Sequence, residues 1–339
     1  MCLIITIFFV NTRANSKTVE PLSLFWGFAV EGYPITDKDL LNLEGQTGIH
    51  PKIVVFFLNW PSAGDGSNVV FPKQTLEAVE SIGSLPCLSW DPRHYDFRYE
   101  TTISSDSILN GDYDTYIRRF ANEAKKFKRP FLIRFGRNMN LERFHWGTER
   151  NNFGPDSPDI YKSIYRHVVY IFRRQGAKNV KWVFCPGADS MPGSSAKQNA
   201  GWNKIENYFP GDDYVDVFGL DGYNWGTSMT TDVQGWDSRW KTFREIFEPA
   251  FKEISALAGE KPVVIFEAAC SVQGGDKNQW IREAFDVLKE WRVQGIVWYH
   301  AVTDCDWRFN TSTDDACKTV VRERTSTPNK WLSKFKVKQ

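Results

Sequence analysis

Much that would define a function class is missing from these 339 residues. There is no CxxC pair, and no histidine stands at metal-ligand spacing from the six cysteines, which argues against a structural zinc site. There is no excess of base: 42 Lys plus Arg face 41 Asp plus Glu. No nucleic acid is therefore expected as a partner, because polyanion binding needs clustered positive charge. Beyond the first ten residues no apolar run is long enough to cross a bilayer, so no membrane span is expected in the mature chain. No low-complexity linker, tandem motif or charge block marks a boundary, and no glycine-rich fingerprint follows the first strand.

The opening run MCLIITIFFV is followed by Thr12-Arg13-Ala14, a small-x-small site. It resembles a secretory signal peptide, although the positive n-region is lacking. Residues 1–18 are therefore set apart as a signal peptide or N-terminal segment, residues 19–339 as one domain, and a secreted or extracytoplasmic monomer is expected. Cys87 and Cys185 lie in apolar runs and read as buried thiols. Cys270, Cys305 and Cys317 fall near loops, where an exported protein has room for one disulfide.

What the chain does hold is an apolar strand, a polar or aromatic loop and an amphipathic helix, over and over. Strands are predicted at 24–30, 52–58, 85–90, 131–135, 181–185, 215–220, 262–266 and 295–299. Their unbroken Val/Ile/Phe character is that of strands buried on both faces. Between them, Ile160, Ile164, Val168 and Ile171 share one helical face, as do Tyr116, Phe120, Ala124 and Phe127. Trp280, Ala284, Phe285 and Leu288 follow Asp276, a plausible N-cap. Eight such repeats predict an α/β fold, a single (β/α)8 TIM barrel.

In that fold the residues at the C-terminal ends of the strands face one cleft. They include Asn59-Trp60, Trp90-Asp91, Arg137 to Trp146, Asp221 to Trp225, Glu267 and Trp298-Tyr299-His300. Glu267 ends the apolar run PVVIF, where a lone carboxylate is costly unless paired or working. The candidates are a nucleophile or base held by neighbours such as Tyr223, and a buried partner for Arg134 or Lys261. Asp221 either binds sugar hydroxyls or caps the following turn. Aromatics make up 15% of the chain, which suits a large core and equally suits a sugar cleft, since flat rings offer apolar area to pyranose faces.

The blocks FLNWP, LPCLSWDP, PFLIRFG..MN....WG, WVFCPG, YFPGDDYVDVFGLDGYNWG, KPVVIFEAACSVQGGDKNQWI and GIVWYH together resemble glycoside hydrolase family 26. This is the β-mannanase and related β-glucanase/xylanase family, and the likeness runs from about residue 24 to residue 310. The resemblance implies a retaining glycosidase acting on a β-linked polysaccharide or oligosaccharide such as β-mannan, with no cofactor or metal. It assigns Glu267 as nucleophile, Tyr223 as the hydroxyl that hydrogen-bonds it, Asp221 as a substrate contact, and Trp298 as the floor beside the scissile bond. Arg137, Trp60, Trp90, Trp146 and Trp225 complete the expected substrate-binding set.

One departure stands out. The family's fourth-strand motif runs His-Glu-Met-Asn-Gly-x-Trp with the Glu as acid/base, and here the frame reads Arg137-Asn138-Met139-Asn140-Leu141-Glu142-Arg143. Asn138 cannot deliver a proton, which removes general-acid assistance of about 100- to 10,000-fold. The readings left open are a displaced acid (Glu142 or Asp91), a polysaccharide-binding barrel without catalysis, and a substrate with a good leaving group that Arg137 assists electrostatically.

Overall fold

The computed structural model describes residues 23–96, 99–144, 146, 153–188 and 199–335. The leader-like segment 1–18 lies outside the described residues. Eight parallel strands close a barrel: β1 (Phe25–Ala29), β2 (Ile53–Asn59), β3 (Leu85–Asp91), β6 (Phe131–Phe135), β7 (Val180–Phe184), β8 (Val217–Asn224), β9 (Val263–Cys270) and β10 (Gly295–Tyr299). A small antiparallel hairpin, β4 (Arg93–Asp96) with β5 (Tyr99–Thr102), rises after β3 and was not predicted. The order around the barrel is β1-β10-β9-β8-β7-β6-β3-β2, and β2 pairs back onto β1. The predicted fold is the one found.

The helices form where the sequence supplies both a face and an end. Helix Lys277–Trp291 starts because the Asp276 side chain accepts from the backbone N–H groups of Asn278 and Gln279. It lays Trp280, Ile281, Ala284, Phe285 and Leu288 on the barrel. Helix Ser157–Gln175 carries Pro158 in its first turn and stops at Gly176, whose φ of 78° suits a residue without a Cβ.

β2 and β3 end one residue later than predicted, and two strands run well beyond their predicted ends. β8 and β9 continue to Asn224 and Cys270, paired residue by residue from Asp221↔Glu267 to Asn224↔Cys270. Asp221 and Glu267 therefore stand inside strands rather than at their ends. A charge that interrupts an apolar run reads as a strand end, yet here each charge has an internal partner and the ladder carries on. The register of β8 against β9 shifts between Leu220 and Asp221, an irregularity that re-aims side chains at this level.

The disulfide for which the sequence left room is not seen among the described residues, whose cysteines are free thiols. Cys270 closes β9, where Asn224 donates to its sulfur, Cys305 lies against the Ser228 hydroxyl, and Cys317 is buried in helix Asp315–Arg324. Each sulfur has a different neighbour, so none is placed to bond another. Removing the Asp276 cap by Asp276→Ala should cost about 1 kcal/mol, read as an unchanged slope and a lower midpoint in urea unfolding.

Candidate active site

The site is built around a guanidinium buried in the barrel. Arg134 on β6 has no exposed surface, so its charge must be answered inside the protein. Its Nη1 donates to both Asp221 oxygens at 2.7 and 2.8 Å, and its Nη2 donates to Glu267 and, at 3.2 Å, to the Ser89 hydroxyl. Glu267 also accepts from the Tyr223 hydroxyl. Arg137, just past β6, lies with Nε 3.7 Å from Glu267 and 3.7 Å from Asp91, too far for hydrogen bonds but close enough for strong attraction.

These contacts set the charge states. Burial alone would raise the Glu267 carboxyl, but Arg134, then Arg137, then the Tyr223 hydrogen bond outweigh it and hold the group below the ordinary carboxylate range. Asp221 goes the other way. Its burial pushes it up to about 7 against the pull of Arg134, and the negative charge of Glu267 adds to the rise. The pair thus places its firm negative charge on Glu267 and leaves the proton, when one binds, on Asp221.

The loop after β6 explains why so many polar residues follow that strand. Gly136 (φ 54°) turns left-handed, and a Cβ there would press on the Trp146 and Tyr161 rings. Asn138 is also left-handed (φ 56°), a conformation that Asn tolerates better than most residues. Asn140 clamps the loop after β7, donating to the Gly187 carbonyl at 2.9 Å and accepting from its N–H at 2.8 Å. Met139 is buried, and Trp146 donates its indole N–H to the Arg137 carbonyl. The family-like Met-Asn and Trp positions are thus occupied by side chains that fasten the loop.

A cleft of about 460 Å³ opens above this cluster. Of the sequence-predicted residues, Arg137, Asn138, Arg143, Phe144, Asp221, Tyr223, Trp225, Glu267 and Tyr299 line it together. Glu142 and Asp91 do not, so neither is brought to the place of a displaced acid: Asp91 is buried and paired with Arg93 at 3.2 Å, and Glu142 stands in a short 3-10 turn. Four tryptophans expected in the cleft are core residues instead. Trp60, Trp90 and Trp298 are at most 2% exposed. Trp60 and Trp90 pack on each other at 4.9 Å between Tyr116 and Phe135, and Trp298 stacks on Trp26 with its N–H bonded to the Trp307 carbonyl. Trp146 is 3% exposed and lies under the Arg93 guanidinium. A large ring beyond a barrel strand fills the space under the helices as readily as it faces the cleft, so strand-end position alone overcounted sugar platforms.

Sequence reasoning missed several wall residues: Glu31, Arg93, Asp304 and Trp307. Glu31 was within reach of the rule that found the others, since it lies two residues past β1. Arg93 was not, because its hairpin leaves no periodic signal.

Comparison with known proteins resolves which lineage carries this arrangement. The family model of glycosyl hydrolase family 26 matches residues 88–313. The chain belongs to that family. This family-26 chain is 31% identical over 277 residues to Endoglucanase H of Acetivibrio thermocellus, a match covering 81% of the chain and 27% of that protein. It is 31% identical over 220 residues to a mannan endo-1,4-β-mannosidase of Bacillus subtilis, covering 59% of the chain and 57% of the relative. The chain therefore spans well under two thirds of the curated relatives it matches. A solved structure of a Bacillus subtilis mannanase superposes with a TM-score of 0.61 at 16% identity over 89% of this chain and 85% of that one, a likeness of fold.

Two outcomes follow from this geometry. Arg134→Met would leave two carboxylates buried without their cation and should cost about 3–5 kcal/mol, measured by chemical unfolding. Trp298→Ala should likewise lose about 3–5 kcal/mol of stability, whereas Trp225→Ala, at the cleft wall, should leave the unfolding midpoint nearly unchanged and weaken oligosaccharide binding in calorimetry.

Proposed function

We propose that this chain hydrolyses a β-linked polysaccharide of the glucan or mannan type with retention of configuration, Glu267 acting as nucleophile. The observation that carries the reading is the state of Glu267: a carboxylate kept ionised by Arg134 and Arg137, oriented by Tyr223, on the floor of an open cleft. An ionised, fixed carboxylate is what attack on an anomeric carbon requires. Arg134 and Tyr223 leave little freedom to rotate, so the attacking oxygen is aimed before substrate arrives. The endoglucanase and mannosidase relatives place both polymer classes among the substrates to test. Trp225 offers a platform for a sugar ring, and Asp221 a polar contact to its hydroxyls. Since polymers of this kind are extracellular, and since Met1–Val10 is leader-like, we propose a secreted location.

Asn138 stands where the family pattern has its acid/base carboxyl, its buried Oδ1 without a hydrogen-bond partner. It can hold a substrate hydroxyl or glycosidic oxygen but supplies no proton.

The test is incubation with mixed-linkage β-glucan, β-mannan and xylan, with Glu267→Ala as control. Release of reducing sugar from one polymer, abolished in the variant, is the expected result; retention on a polymer affinity gel with no release by either protein would favour a binding protein on this barrel. Arg137→Ala should also move the acidic limb of the kcat/KM profile to higher pH. Removing one of the two cations that favour the ionised form raises the Glu267 pKa, so the nucleophile is lost by protonation earlier as pH falls.

A further inference from the structure

We propose that Glu31, carried on the chain just past β1, is the proton donor and acceptor of this site, in place of the carboxyl that Asn138 does not provide. The inference rests on the glycosidase reading above and goes beyond it by assigning the missing acid.

Among the carboxylates that line the cleft, Glu267 and Asp221 are committed to Arg134. The others are Glu31 and Asp304, and Glu31 is the one held by a hydrogen bond to a cleft-lining side chain. The Tyr299 hydroxyl donates to Glu31 Oε1 at 2.9 Å, which leaves Oε2 to carry a proton. β1 and β10 are in register through Ala29↔Tyr299, so Glu31, two residues on, stands directly above that tyrosine. The Tyr299 ring meets the Tyr223 ring edge-on at 5.8 Å, and Tyr223 donates to Glu267. Two tyrosines in contact thus fix the carboxyls of Glu31 and Glu267 on the same cleft.

The surroundings suit the role. Desolvation raises the Glu31 carboxyl above its ordinary value, and the Tyr299 hydrogen bond only partly offsets this. Arg137 beyond β6 lowers it, Glu267 on β9 raises it, and Arg93 on the hairpin lowers it. Glu31 lies at the rim, exposed on its outer side, where water can reach it for the second half of the reaction.

The chemistry balances. As a Glu267 oxygen bonds to the anomeric carbon, the bond from that carbon to the glycosidic oxygen breaks, and the Glu31 proton passes to the departing oxygen. A water then gives a proton to the Glu31 carboxylate and its oxygen to the anomeric carbon, releasing Glu267 and restoring both groups.

The deciding experiment compares Glu31→Gln with the wild type on mixed-linkage β-glucan and β-mannan, which need an acid, and on dinitrophenyl β-cellobioside and β-mannobioside, whose leaving group does not. At an unchanged melting temperature, turnover of the cleaved polymer should fall about 100-fold or more, while kcat/KM for the activated glycoside changes less than about tenfold. The basic limb of the polymer pH profile should disappear, and azide should rescue Glu31→Ala with formation of a β-glycosyl azide. Tyr299→Phe, which keeps the carboxyl but removes its hydrogen bond, should shift that limb upward in pH. The proposal is overturned by full polymer turnover in Glu31→Gln, by equal losses on both substrates, or by a wild type that cleaves only the activated glycosides. Fluorinated-sugar trapping on Glu267 separates these results from failure of the wider reading: no trapping and no turnover of either substrate would remove the glycosidase assignment itself, and Glu31 with it.

Discussion

The site depends on placing one guanidinium where water cannot reach it. Arg134 fixes Asp221 and Glu267 across the barrel, and each of the three would be prohibitively costly alone. The count of charges then explains Arg137. Arg134 alone serves two buried carboxylates, and a second guanidinium, 3.7 Å from both Glu267 and Asp91, adds positive charge where the carboxylates crowd. A histidine in that position would be neutral for much of the accessible pH range, whereas arginine never is. Arginine at this position therefore helps keep Glu267 a firm anion. Under the retaining mechanism proposed above, a more stabilised carboxylate attacks less readily and leaves more readily, which makes formation of the glycosyl intermediate the harder half. That is the half of the reaction in which a proton donor matters most.

The aromatic residues divide along the same boundary. Trp60, Trp90 and Trp298 lie beneath the rim in two separate clusters, the first two with Tyr116, Phe120 and Phe135, the third on Trp26. Trp225, Trp307, Tyr223 and Tyr299 lie at or above it and touch one another. The first group holds the strand ends in place, and the second shapes the space that a sugar would enter. The contact between Tyr223 and Tyr299 matters most, because each hydroxyl holds a different carboxylate.

Barrel strands were legible because parallel strands buried on both faces leave unbroken apolar runs, and β6 and β10 match their predicted limits. The same signal misplaced the ends of β8 and β9, since a charge within a strand looks like its terminus unless the partner is known. Arg134 gave the clue: a charge inside an apolar run demanded a carboxylate, and Glu267 was one of the candidates. That Asp221 would be the second partner depends on a register shift between β8 and β9 that no local pattern encodes. Indole position was the least legible feature. Whether a tryptophan at a strand end points inward or under a helix is decided by neighbours far away in sequence, as Trp298 and Trp26 show.

The turn at Asn138 shows what the family position demands apart from its chemistry. Its φ of 56° lies in the left-handed region, where most side chains cost roughly 1–2 kcal/mol and asparagine costs least. The backbone is held regardless, since Asn138 N–H donates to the Cys185 carbonyl and Asn140 grips Gly187 on both sides. The loop is thus independent of the residue it presents. Glu267, Tyr223 and Arg134 are likewise held by contacts that do not involve the Asn138 side chain.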